Sequence, residues 1–291
     1  MLGRSKGAGA PAEGRLAGQK LHDHVKVYYP DDPDPWKAGK GLAFAPFVLE
    51  SLGAEPFQYW LMDPAEQAGL AYLLEHLRPK VAIEIGTGFG GSLQVLSRHC
   101  GHVYSLDVDP AIPRRLEGRF GNVEYIIGPS SRTLPPLIRR LQAEGAELGF
   151  ALVDGDHTTE GVKRDIDALL RFTPTVPFYI IMHDSFNPAV REGVRLAGWS
   201  ENPHVHAVEL DFVAGGISTS PAARGEMWGG LALAVLKPQK RQGHFEITGC
   251  ANLTFRVVRL PSSLWSLVRS RRRALGNARQ RLFGRSGALD T

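Results

Sequence analysis

Residues 81–92 read Val-Ala-Ile-Glu-Ile-Gly-Thr-Gly-Phe-Gly-Gly-Ser, an apolar run that leads directly into four glycines. Glycine has no Cβ and tolerates positive φ, so a strand that ends in such a turn lets a ligand approach its backbone closely. The residues that follow show helical periodicity. The stretch therefore predicts a strand, a glycine-rich loop and a helix that together form a nucleotide-type binding site.

Strand and helix patterns alternate on both sides of this stretch. Apolar strands are predicted at 81–85, 102–106, 123–127, 150–153, 178–182, 205–208 and 231–236. Helical patterns lie at 64–77, 91–98, 112–117, 134–143, 160–172 and 188–197. This alternation predicts an α/β fold, with a Rossmann-like, doubly wound, mostly parallel seven-stranded sheet and helices on both faces.

Composition divides the chain into four parts: a disordered basic tail at 1–20, an N-terminal cap at 21–62, the main domain at 63–261 and a basic amphipathic tail at 262–291. The net charge is +4, and residues 262–291 alone hold seven arginines and one acid. The basicity thus belongs to the tails, and we expect no nucleic-acid partner. For the C-terminal tail, three roles stay open: solvated tail, homo-oligomer contact, or peripheral contact with an anionic membrane.

The compartment is predicted from what the sequence lacks. No run of eighteen uncharged apolar residues is present, and the first twenty residues lack the apolar core of a signal peptide. Cys100 and Cys250 are far apart and have no metal-type spacing. These features predict a cytoplasmic protein.

Two cofactors compete for the glycine loop. Gly86, Gly88 and Gly91 fit the pattern G-x-G-x-x-G, and Asp107 ends the next strand, where a ribose hydroxyl would be met. That spacing permits NAD. Glu84, however, would repel a pyrophosphate and would suit the ammonium and sulfonium groups of S-adenosylmethionine. The acidic residue therefore favours S-adenosylmethionine.

A second group of polar residues follows two later strands. Asp154-Gly155-Asp156-His157 ends the strand at 150–153, and His183-Asp184-Ser185 ends the next. Neighbouring strands lie about 5 Å apart, so Asp154 and Asp184 are predicted to bracket a cation such as Mg²⁺. His157 is the predicted general base, because its unperturbed pKa suits proton removal at neutral pH. His183 is an alternative base or a residue that supports the cation's ligands, and capping or core roles stay open for both histidines.

These motifs carry a family resemblance. Glu84 to Gly90, with Asp107 on the second strand, resembles motif I and the ribose-binding acid of class I S-adenosylmethionine-dependent methyltransferases. Residues 153–166, together with His183-Asp184, resemble the bacterial methyltransferase family that includes macrolide sugar O-methyltransferases and cephalosporin hydroxylase-like proteins. The sequence departs from that pattern at Ser185, where a further acid or amide ligand is often found, and Asn187 is the one nearby substitute.

The resemblance implies a role for each position. It implies cofactor contacts at Glu84, Gly86, Gly88, Gly90, Asp107, Ser130 and Asp154, Mg²⁺ ligands at Asp154 and Asp184, and acceptor chemistry at His157, Asp154 and His183. Ser130 has a second interpretation as a helix N-cap, and so has Asp156.

The expected function is methyl transfer from S-adenosylmethionine to an acceptor hydroxyl, with a small-molecule or saccharide acceptor such as a sugar of a natural product or polysaccharide. An NAD-dependent oxidoreductase is one alternative, and a non-catalytic cofactor-binding or assembly protein is another. Residues 213–228 are predicted to form either a lid or a surface connection. Trp36, Trp60 and Trp228 are predicted as acceptor-stacking or core residues.

Overall fold

The computed structural model describes residues 60–219 and 223–259. The predicted tails at 1–20 and 262–291, Trp36 and most of the predicted cap lie outside these residues, and the four predicted domain boundaries stay predictions. In the described ranges, no helix has the length and the hydropathy that a membrane span needs.

The main sheet has eight strands and is mostly parallel. Its strands are β1 (Val81–Ile85), β2 (His102–Asp107), β3 (Val123–Ile127), β4 (Leu148–Val153), β5 (Phe178–His183), β6 (Val205–Val213), β9 (Leu231–Leu236) and β10 (Ile247–Thr248). A short separate hairpin pairs β7 (Gly216–Ile217) with β8 (Met227–Trp228). The order β10-β6-β9-β5-β4-β1-β2-β3 confirms the predicted doubly wound architecture.

Helices cover both faces of this sheet. They are α1 (Pro64–Leu77), α2 (Gly91–His99), α3 (Ile112–Arg115), α4 (Ser130–Ala143), α5 (Thr159–Leu169) and α6 (Pro188–Leu196). Apolar side chains of α4, α5 and α6 pack in one core cluster, and those of α1, α2 and α3 pack in the other. Successive residues of a strand point to opposite faces, so each long strand of the main sheet contributes to both clusters.

Strand direction places the binding site. β9 runs antiparallel to β5 and β6, whereas the other neighbouring pairs are parallel. From β1 the chain moves outward to β2 and β3 and then returns to β4 on the other side of β1. Ligands of open α/β sheets bind beyond the carboxyl ends of the strands at such a reversal. The reversal lies between the glycine loop after β1 and the acidic turn after β4.

The predicted elements differ from the structure mainly at their ends. All seven predicted strands lie in the main sheet, and the two-residue β10 adds an eighth at the edge. β6 runs to Val213, five residues beyond its predicted end. α4 begins at Ser130 instead of residue 134, and it contains Pro135 and Pro136. Proline lacks an N–H donor and is favoured in the first turn of a helix. Pro135 and Pro136 therefore indicate a start near residue 134, four residues after the actual start of α4.

Candidate functional site

A cavity of about 800 Å³ opens at the carboxyl ends of β1 to β5. The predicted site residues on its walls are Gly86, Gly88, Asp107, Ser130, Asp154, His157, His183 and Asp184. The structure thus brings the glycine loop and the Asp/His residues into one cavity. Gly90 and Glu84 do not line it.

The glycine loop is held against the end of β4. Gly86, Gly88 and Gly90 have φ values of 95°, 54° and 84°. A Cβ on Gly86 would lie 2.1 Å from the carbonyl oxygen of Asp154, so only glycine fits there. Asp107 Oδ2 accepts hydrogen bonds of 3.0 Å from the backbone N–H groups of Thr87 and Gly88. The first three residues of the loop are therefore held by the ends of β4 and β2.

Glu84 lies beneath the loop. It is fully buried, and its two carboxylate oxygens accept 2.6 Å hydrogen bonds from the hydroxyls of Ser92 and Ser105. Ser105 Oγ in turn lies 2.6 Å from Thr87 Oγ1. Burial raises the pKa of Glu84 to about 8, although both serine hydrogen bonds oppose the shift. Glu84 thus contacts the first turn of α2 and the interior of β2.

Ser130 is the first residue of α4, and Pro129 precedes it at the cap position. The Ser130 hydroxyl donates a 2.7 Å hydrogen bond to Asp165, which is buried on α5. The N-cap interpretation of Ser130 is therefore wrong. Its place on the cavity wall agrees with the predicted cofactor contact, which stays a prediction.

Asp154, His157, His183 and Asp184, here called the Asp/His cluster, meet where β4 and β5 end. His157 Nε2 lies 2.9 Å from Asp184 Oδ2 and 3.4 Å from Asp154 Oδ1. His183 Nδ1 lies 2.9 Å from Asp154 Oδ1 and 3.6 Å from Asp184 Oδ2. One ligand atom from each residue lies within 4.8 Å of the others. The predicted proximity of the two strand ends is correct.

Exposure separates the four side chains. The His157 side chain is 38% exposed, against 22% for Asp154, 10% for Asp184 and 8% for His183. The ring of His157 also lies edge-on to Trp228, with 5.7 Å between centroids. His157 is therefore the member of the cluster that a molecule in the cavity meets first.

Glu66 is a site residue that the sequence reasoning missed. It is buried on α1, and its Oε2 lies 3.3 Å from His183 Nε2. Its carboxylate also accepts hydrogen bonds from the backbone N–H groups of Gly230 and Asp63. The sequence signals only a capping box at α1, since the contacts to His183 and Gly230 span more than a hundred residues.

The cluster carries strong mutual electrostatic effects. Hydrogen bonds to Asp154 and Asp184 raise the pKa of His157 to about 10, so the expectation that its unperturbed pKa suits proton removal at neutral pH is wrong for the cation-free site. Burial alone would lower the pKa of His183, but Asp154 and Asp184 raise it well above its ordinary value. Burial alone would raise the pKa of Asp154, but the two histidines outweigh it and lower that pKa to about 2.

Two neighbouring residues are helix N-caps. Asn187 is the N-cap of α6, and its Oδ1 accepts hydrogen bonds from the N–H groups of Ala189 and Val190. Asn187 Oδ1 is thus not free to act as the metal ligand that residue 185 does not supply. The N-cap of α5 is Thr158, which excludes the capping role for Asp156.

Two of the three singled-out tryptophans line the cavity. Trp60 and Trp228 lie on its wall, while residues 220–222 between β7 and β8 are outside the described ranges. The segment 213–228 therefore returns to the cavity, and its action as a lid stays a prediction.

Gly86→Ala should destabilise the protein strongly, because the new methyl group meets the Asp154 carbonyl. Gly88→Ala is the matched control, since it also has positive φ but has no atom within 4 Å of the added Cβ. We expect a positive-φ cost of about 1–3 kcal/mol in both variants and a clearly larger loss for Gly86→Ala. Urea unfolding measures both, and equal losses would contradict the close approach.

In the protein with chelator and no added metal, His157 should keep its proton at neutral pH. The two carboxylates raise its pKa to about 10, so the imidazole loses its proton only as the pH rises through that value. NMR titration of the ring, assigned with His157→Gln, measures this directly. Asp184→Asn should lower the midpoint, and a wild-type midpoint near 6.5 would contradict the cluster geometry.

Comparison with known proteins supports a methyltransferase. Residues 83–185 match the family model described as a methyltransferase domain. The match begins within β1 and ends at Ser185, so it includes the glycine loop and the whole Asp/His cluster. It favours the methyl donor over NAD at this loop and an enzyme over a non-catalytic binding protein.

Several solved structures resemble the fold. Cofactor-bound Rv0187 from MTB is 20% identical, covering 80% of this chain and 100% of that chain, with a TM-score of 0.46. The O-methyltransferase from Bacillus cereus in complex with S-adenosylhomocysteine is 17% identical over 75% and 97%, with a TM-score of 0.47. The O-methyltransferase TomG from Streptomyces achromogenes is 15% identical over 75% and 98%, with a TM-score of 0.46. Identities and TM-scores this low say nothing about activity. No curated protein matched the sequence.

Proposed function

We propose that this chain is a class I S-adenosylmethionine-dependent methyltransferase and that it transfers the methyl group to an acceptor hydroxyl. The observation that supports it is the shared cavity, which joins the glycine loop to the Asp/His cluster. A methyl donor on the loop and a hydroxyl beside the cluster would meet inside one site. Alignment of two bound reactants supplies much of the acceleration in such a displacement.

The cofactor is proposed to lie along the loop. Gly86 and Gly88 let it approach the backbone, Asp107 meets its ribose, and Ser130 lies at the adenine end. Glu84 acts on the methionine end through the loop and α2, because its oxygens are both bonded to serines and do not reach the cavity wall. Gly90 likewise acts through the start of α2.

The acceptor is proposed to bind beside His157 and Trp228. His157 takes the proton of the hydroxyl as the oxygen attacks the methyl carbon, and the methyl–sulfur bond breaks to leave S-adenosylhomocysteine. His157 is the most exposed member of the cluster, and it would lose the proton that Asp154 and Asp184 keep on its ring when a cation occupies those carboxylates. Trp60 and Trp228 offer apolar surface for the body of the acceptor, and the resemblance makes a saccharide the acceptor class that we propose.

A divalent cation fits the cluster. Asp154 and Asp184 each place a carboxylate oxygen within 4.8 Å of the other and of both imidazoles. Two carboxylates this close disfavour each other unless positive charge compensates them, as the two imidazoles or a cation can. Bound there, the cation would lower the pKa of an acceptor hydroxyl. It would also compete with the proton on His157 for the same carboxylates.

The cytoplasm stays the predicted compartment.

S-adenosylhomocysteine should raise the melting temperature of the purified full chain, and NADH should not. A ligand that binds only the folded state stabilises it by about 2.7 kcal/mol at one hundred times its Kd. A thermal-shift comparison with buffer measures both. Stabilisation by NADH alone would contradict the proposed cofactor.

His157→Gln should lower kcat about 10²–10⁴-fold, the usual contribution of a general base. The variant should still bind S-adenosylhomocysteine, because the loop is unchanged. His76→Gln is the matched control, since His76 lies on the exposed surface of α1. Methyl transfer to a panel of saccharide acceptors gives the rates, and unchanged turnover in His157→Gln would exclude this base.

A further inference from the structure

We propose that His183 Nδ1 is the third protein ligand of the cation held by Asp154 and Asp184. Its nitrogen makes the site selective for a first-row transition-metal dication, such as Mn²⁺, Fe²⁺, Co²⁺ or Zn²⁺, over Mg²⁺. The inference rests on the proposed function for the presence of the cation.

The distances suit a common cation. His183 Nδ1 lies 2.9 Å from Asp154 Oδ1 and 3.6 Å from Asp184 Oδ2. Metal bonds of about 2.0–2.2 Å place neighbouring ligand atoms about 2.8–3.6 Å apart, for angles between 90° and 109°. Both separations lie within that range, so the ring needs no rotation to become a ligand. The separations of His157 Nε2 from the same oxygens also lie within it, so burial and ring support decide between the two histidines.

Glu66 fixes the orientation of the His183 ring. Its Oε2 lies 3.3 Å from Nε2, and the backbone N–H groups of Asp63 and Gly230 hold the same carboxylate in place. When Nε2 donates its proton to Glu66, Nδ1 is left with the lone pair that a metal needs. A carboxylate behind a histidine ligand is the usual support in protein metal sites.

Asp184 is held in the same manner. The N–H of Gly229 donates a 2.6 Å hydrogen bond to Asp184 Oδ1, which leaves Oδ2 directed at the cluster. Asp184 itself has a φ of 58°, a left-handed conformation that few non-glycine residues adopt. The N–H of Gly229 and the backbone conformation of Asp184 together direct this carboxylate at the cluster.

Neither neighbour in the sequence competes for this position. The Ser185 hydroxyl is buried against Gly230 and is not on the cavity wall. Asn187 is occupied at the start of α6. His183, the residue before Asp184, therefore supplies the third metal ligand that Ser185 does not.

The nitrogen decides the class of metal. Mg²⁺ prefers an all-oxygen shell, whereas imidazole is a common ligand of first-row transition metals. Three protein ligands also leave positions open for a substrate oxygen, as in catalytic metal sites. His157 stays outside the set because it lies toward the cavity, where the acceptor enters.

The test is calorimetric titration of untagged, chelator-stripped protein with Mn²⁺, Co²⁺ and Mg²⁺ separately. In His183→Asn, the amide oxygen occupies nearly the place of Nδ1 and adds no charge. We expect the affinities for Mn²⁺ and Co²⁺ to fall about 10–100-fold and the affinity for Mg²⁺ to change less. The ratio of transition-metal affinity to Mg²⁺ affinity should therefore fall. His157→Asn is the matched control and should keep the wild-type selectivity.

Glu66→Gln provides a second variant in case His183→Asn does not fold. It should weaken Mn²⁺ and Co²⁺ binding about tenfold or more without removing a ligand. Equal selectivity in wild type and His183→Asn, a larger effect of His157→Asn, or no binding of any of the metals would overturn the inference. A thermal shift with S-adenosylhomocysteine on the same samples separates failure of this inference from failure of the proposed function. If the metals do not bind but S-adenosylhomocysteine does, only the inference fails; if S-adenosylhomocysteine does not bind either, the proposed function is contradicted as well.

Discussion

The site depends on groups that offset the negative charges of three carboxylates, which the fold places close together. Glu66, Asp154 and Asp184 come from α1 and from the ends of β4 and β5, and all three contact or approach His183. Carboxylates at such distances repel one another, and burial adds to the cost of their charge. Two imidazoles and the N–H groups of Gly229 and Gly230 supply the compensation. The turn that enters β9 is therefore part of the site.

This constraint joins the cofactor loop to the reacting groups. Gly86 packs against the carbonyl of Asp154, whose side chain contacts both histidines of the cluster. A shift of the loop would thus move a carboxylate of the cluster. The methyl donor and the acceptor are accordingly positioned by one connected piece of backbone at the reversal of strand order between β1 and β4.

Local sequence signals predicted the parts of the structure that depend on local physics. Apolar runs identified every long strand, and the glycines after Ile85 identified the loop. The alternation of strands and helices predicted a doubly wound, mostly parallel sheet, but the strand order that brings Asp154 near Asp184 came from the structure. The start of α4 was missed because Pro135 and Pro136 lie inside the helix. Glu66 was missed because its partners, His183 and Gly230, are set by packing between distant segments.

The most direct measurement is a crystal structure of the full chain with S-adenosylhomocysteine. The account predicts that the ligand lies along residues 86–90, with its ribose at Asp107. Its sulfur should face His157 Nε2 at about 5–7 Å, which leaves room for one acceptor oxygen and the methyl group. A ligand bound elsewhere, or one whose sulfur points away from the Asp/His cluster, would contradict the account.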